Sequence, residues 1–142
     1  MPNAAAPRSH TLTYAMNDNE FEAVLALDNV ARFDHFVKRV ADWQQAWGTR
    51  NADGWLVPAA PEGFEYFPIW PHPDYAQRIT DAHFPGCSAT EITLEELMDD
   101  WLPMLEKEGV KVAVFPGRDW SFWCMEPADL SEALQNELAR YE

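Results

Sequence analysis

The chain is poor in cysteine, in basic side chains and in long apolar runs. Cys87 and Cys124 are its only cysteines. Without a CxxC spacing they make neither a disulfide framework nor a zinc site, and a reducing compartment fits them. No stretch approaches the 18 or so uninterrupted apolar residues of a membrane span. The opening run Met1 to Arg8 is interrupted by prolines and has no apolar core of the kind a signal peptide carries. The expectation is a soluble, cytoplasmic protein that does not engage a membrane. Lys and Arg number 10 against 24 Asp and Glu, a formal charge of -14. With no basic stripe, that balance argues against nucleic-acid binding. Gly-rich phosphate loops, GxSxG elbows and EF-hand spacings are also missing, so no cofactor, metal or catalytic residue is assigned.

The negative charge is unevenly placed. Residues 1–50 carry five basic and six acidic side chains, whereas 51–142 carry five and eighteen. Hydrophobic residues are 47% of the chain and include seven Trp and eight Phe, enough for one well-packed domain of this length. Residues 1–15 lack a sustained period and read as a flexible arm, with residues 16–142 forming a single domain.

Local patterns then order the elements. Asn17 and Glu20 suggest a capping box opening a helix over 18–28. Phe33, Phe36, Val37 and Val40 predict a second over 30–42. Asn51-Ala52-Asp53-Gly54 predicts a hairpin turn between strands at 43–49 and 55–58. Residues 64–70 read as a strand in which Pro68 demands an edge, an end or a bulge. A short helix follows from Pro73 to Ile79. Thr93 and Glu96 form a capping box for the clearest helix, with Leu94, Leu97, Met98, Trp101, Leu102 and Leu105 on one stripe. Gly109 ends it, and Pro103 should kink it. Strands at 110–115 and 120–126 and a last helix from Pro127, with Leu130, Leu134, Leu138 and Tyr141 on one side, complete the order. The fold class is α+β: a single domain with a mostly antiparallel sheet packed with about four to five helices.

Candidate functional residues are few. Glu95, Glu96, Asp99 and Asp100 occupy the polar side of the 94–108 helix. Their like-charge i, i+4 pairs cost about 0.2–0.5 kcal/mol each, which the helix dipole offsets near the N-terminus. Trp70, between Pro68-Ile69 and Pro71-His72-Pro73, could be an exposed indole held by a rigid turn. His72, Asp74 and His83 are the candidates for a ligand site around it. His83 with Cys87 could pair as a base and nucleophile, but nothing orients the base. Cys124 alternates with Trp120 and Phe122 and reads as a small core thiol.

The runs Ala31-Arg32-Phe33-Asp34-His35-Phe36, Val40-Ala41-Asp42-Trp43, Asp53-Gly54-Trp55, Pro68-Ile69-Trp70-Pro71-His72, Trp101-Leu102-Pro103 and Val112-Ala113-Val114-Phe115-Pro116 resemble a bacterial family of small proteins known only as domain of unknown function 2750. The resemblance covers roughly residues 20–127. It implies a small α+β domain and carries no catalytic residue with it.

The leading expectation is a non-enzymatic acidic protein-binding domain. Its most concrete form is an immunity or inhibitor protein that neutralises a basic bacterial toxin such as a nuclease, steered by Glu95, Glu96, Asp99 and Asp100 and anchored by Trp70. One alternative is a small enzyme or ligand-binding domain around Trp70, His72, Asp74 and His83. Another is a housekeeping domain whose acidity serves solubility alone.

Overall fold

The structure is a computed structural model and describes residues 15–140. The arm expected over residues 1–15 lies outside these residues apart from Ala15, as does Tyr141 of the last helix.

Helix α1 (Asp18–Leu25) starts where Asn17 Oδ1 accepts from the Glu20 amide at 2.7 Å. It is three residues shorter than expected, because the chain turns at once into the Asp28 cap of α2 (Asn29–Trp43). Helix α2 buries Phe36, Val37 and Val40 of the expected stripe together with Ala41, while Phe33 is only partly buried against the core. It stops at Gln44, whose φ of 59° is left-handed, so Trp43 belongs to the helix and not to the strand expected there.

Strand β1 (Gln45–Asn51) turns at Ala52-Asp53 into β2 (Gly54–Trp55), with Gly54 at φ 134°. Antiparallel β4 (Ser88–Thr93) lines the other side of β1, giving the order β2-β1-β4. Its outer edge is blunted: Gln77 Oε1 accepts from the Ala89 amide at 2.9 Å, and Glu96 Oε1 from the Thr93 amide at 3.0 Å.

The second sheet has the order β3-β5-β6, from β3 (Tyr66–Ile69), β5 (Lys111–Val114) and β6 (Trp123–Met125). Strand β3 runs parallel to β5 on the edge, where Pro68 can forgo an amide bond. A bridge joins the two sheets, the Trp47 and Trp70 amides and carbonyls exchanging two bonds of 2.8 Å. Helix α3 (Pro73–His83) extends one turn beyond the expected Ile79 and packs on the first sheet.

The 94–108 segment is continuous but changes pitch. Thr93 and Glu96 form the reciprocal cap of α4 (Leu94–Glu96), a π-helical turn follows over Leu97–Trp101, and α5 (Leu102–Glu108) ends at Gly109, φ 71°. Leu102 donates to Leu97 O, five residues back. The wider turn sits directly before Pro103, whose missing amide hydrogen is thereby accommodated. Helix α6 (Pro127–Ala139) buries Leu130 and Leu134.

Two expectations fail at β6. The strand is three residues long, because Trp120 at φ 64° takes the preceding segment out of extended geometry. Lying at the edge, β6 leaves Cys124 exposed and Trp123 39% exposed, so neither is a core residue. Among the described residues no helix is long and apolar enough to cross a membrane.

Candidate functional site

The residues expected around Trp70 are dispersed. Trp70 is fully buried, its Nε1–H donating to Pro116 O at 3.0 Å. The flanking prolines suggested an exposed turn, but the 115–121 loop covers it, so Trp70 offers a partner no surface. His72 is also buried and caps α3, Nδ1 accepting from the Asp74 amide at 3.1 Å. The Asp74 carboxylate lies 4.0 Å from the same nitrogen. His83 stands at the far end of α3, about 16 Å along the helix by its rise per residue. There it donates from Nε2 to Arg118 O at 2.8 Å and lies 5.0 Å from the Trp120 ring. His72 and Asp74 therefore sit together, with His83 remote. Cys87 is buried beyond the turn that ends α3. Among the described residues no group of three or more His, Cys, Asp or Glu is placed to hold a metal ion.

The loop over Trp70 is held by a buried arginine, Arg32. Arg32 Nε donates to Phe115 O at 3.1 Å, Nη1 to Leu27 O at 2.5 Å, and Nη2 to Asn29 Oδ1 and to Ser121 O at 3.1 Å. Burial pushes the guanidinium below the usual arginine range, while Asp119 and Asp28 pull it back up. It remains a cation at any physiological pH. Phe115 and Trp120 are both left-handed, at φ 56° and 64°. Bulky residues hold such angles only where surrounding bonds over-determine them. Those bonds are the Arg32 fork, the Trp70 indole and the Trp120 Nε1–H donated to Tyr66 Oη at 2.9 Å.

The acidic helix is where the sequence placed it. Glu95, Asp99 and Asp100 are exposed, opposite the buried Leu94, Leu97, Trp101 and Leu105. Glu96 is partly withdrawn, its carboxylate committed to the Thr93 cap.

Beside α5 the structure adds a groove of about 540 Å³ that the sequence did not disclose. Its floor is apolar: Trp55 and Val57 from the hairpin, Met104 and Leu105 from α5, and Val110. Asp53, Glu65, Glu108 and Arg50 stand around it. Trp55 is fixed edge-on to Trp101 at 4.8 Å and tilted toward Phe67 at 6.0 Å. It lies flat because Gly48 has no side chain: a Cβ there would meet Trp55 Cζ3 at 3.1 Å. Arg50 rests over the indole, its Cζ 5.2 Å from the ring centroid.

A family model described as "Protein of unknown function (DUF2750)" matches residues 33–134, well over half of the chain. Neither a curated protein nor a solved structure matches.

Proposed function

Because the chain belongs to the DUF2750 family, whose description assigns no activity, we propose from the surface itself that it is a non-enzymatic acidic domain that binds a basic protein. The single observation that supports this reading is how the cations are distributed. Lys38, Arg39, Arg78, Lys111, Arg118 and Arg140 each face a carboxylate elsewhere in the fold. Arg32 is buried and Arg50 covers Trp55. Among the described residues no ion pair reaches Asp99 or Asp100, and Lys107 is the only cation on their helix. The field over this face is left negative, which steers a basic partner toward it and accelerates encounter.

The most specific form of the proposal is a cytoplasmic immunity or inhibitor protein that neutralises a basic toxin, such as a nuclease, by covering its nucleic-acid surface. Glu95, Asp99 and Asp100 steer, and Glu96 supports the helix that carries them.

The test is affinity capture from the native cell with the chain and its E95K/D99K/D100K variant, followed by measurement of the recovered protein's binding to each. The expected result is recovery of a basic protein that the variant binds at least tenfold more weakly. Equal binding by both chains removes the electrostatic argument.

A further inference from the structure

We propose that the Trp55 groove is the anchoring pocket for a basic and partly apolar segment of the partner. An aliphatic or aromatic side chain lies on Trp55 and Met104, and flanking arginine or lysine side chains meet Asp53, Glu65 and Glu108. The inference rests on the binding-domain reading and names the chemistry its anchor recognises.

Three properties of the groove select this occupant. Its volume, about 540 Å³, falls in the range that encloses a few side chains, about 300–1,000 Å³. An apolar floor releases water when an apolar side chain covers it, whereas the rim carries three carboxylates against one guanidinium. Charge complementarity therefore admits a basic segment and disfavours an acidic one, for which like-charge juxtaposition is costly.

Arg50 supplies the third property. Its guanidinium already lies over the Trp55 face, so the groove has a position where an indole quadrupole attracts a cation. In the free chain that position is filled from within. The partner's apolar side chain must displace Arg50 to lie on the ring, and the arginine then swings toward solvent. Removing the Arg50 charge consequently strengthens binding, an effect opposite to what damage to the surface produces.

The probe is a fluorescein-labelled, end-blocked octapeptide in which arginines flank a leucine and a phenylalanine, with a second peptide carrying glutamate for arginine. Anisotropy titrations use the full chain at low salt. The basic peptide is expected to bind and the acidic one not. D53N and E108Q should each weaken binding about three- to tenfold, and R50Q should tighten it about threefold, in line with an exposed cation–π contact and one like charge removed. D53N places an asparagine before Gly54, and an Asn-Gly step favours the same turn as Asp-Gly, so the hairpin persists. Equal urea midpoints confirm the folds.

Failure of the basic peptide to bind overturns the groove proposal, as does R50Q weakening the complex. If D53N, E108Q and R50Q leave affinity unchanged while E95Q/D99N/D100N abolishes it, the groove is excluded and the acidic-helix reading stands. If neither set of substitutions alters it, both are excluded.

Discussion

The guanidinium of Arg32 is packed so closely against Gly117 that a methyl group there would lie 2.9 Å from Arg32 Cζ. Gly117 is thus small because a charged group with fixed carbonyl partners occupies the neighbouring space. G117A should destabilise the fold by about 1–3 kcal/mol through overpacking. R32A should cost about 3–5 kcal/mol, because the carbonyls of Phe115, Leu27 and Ser121 lose a charged donor. Urea unfolding of the double variant decides the cause: the Gly117 penalty should largely vanish once Arg32 is gone. Its persistence would show that the clash is not with Arg32.

Gly48 makes the comparison case. A Cβ there meets Trp55 at 3.1 Å and Phe67 at 3.2 Å, looser than the 2.9 Å approach at Gly117, and Trp55 is half-buried, so a small shift of its ring against Trp101 can relieve the contact. G48A is therefore expected to cost about 1 kcal/mol, less than G117A. Reversal of that order in chemical denaturation would mean the Trp55 ring is held as rigidly as the Arg32 fork.

The indole of Trp70 donates into a region closed to water. W70F leaves the Pro116 carbonyl without that partner and opens a small void. A loss of about 2–4 kcal/mol follows from the two effects together. Thermal unfolding measures it, and a change below about 1 kcal/mol would show that the 115–121 loop does not depend on this bond.

His35 links stability to pH. Burial first, and Arg39 second, hold its imidazole below the ordinary histidine range, with Glu20 and Asp34 opposing them. Its Nε2 is buried without a hydrogen-bond partner, and its ring lies 6.2 Å from that of Phe115. The unfolded chain thus binds a proton more readily than the folded one. His35 imposes no penalty well above pH 6.5, and one develops as pH falls through the unfolded value of about 6.5 toward the lower folded value. Urea midpoints at pH 7.5 and 5.5 should diverge more for the parent than for H35Q. Equal divergence would assign the pH dependence to other groups.

The two thiols should be distinguishable by labelling. Cys124 is exposed and Cys87 buried. Burial raises the Cys124 thiol above its usual range, Glu126 and Glu62 add to the rise, and Lys111 opposes it. A maleimide should modify Cys124 in the native chain, faster as pH rises, and Cys87 only after denaturation. Native modification of Cys87 would contradict its packing behind α3.

Local chemistry was legible wherever a residue acts on its own neighbours. Asn17 and Thr93 cap the helices they precede, Pro68 sits on an edge, and the α2 and 94–108 stripes face inward. Distant partners decided the rest. Trp70 looked exposed between prolines because Pro116, its acceptor, is 46 residues away. Nothing in the local sequence of Arg32 discloses its burial, because its acceptors at Phe115 and Ser121 are more than 80 residues away. Cys124 looked buried because alternation gives the phase of a strand but not its place at a sheet edge. The acidic helix face was visible in its spacing, whereas the groove beside it exists only where the hairpin meets α5.

That construction bears on how the surface can be made or lost. The walls come from Arg50 to Val57, from Glu65 and from Met104 to Val110, so no excised peptide reproduces them and a nascent chain lacks them until synthesis has passed Val110. Recognition through this groove reports on folding: a partner distinguishes a folded chain from an unfolded one even when both display the same acidic segment.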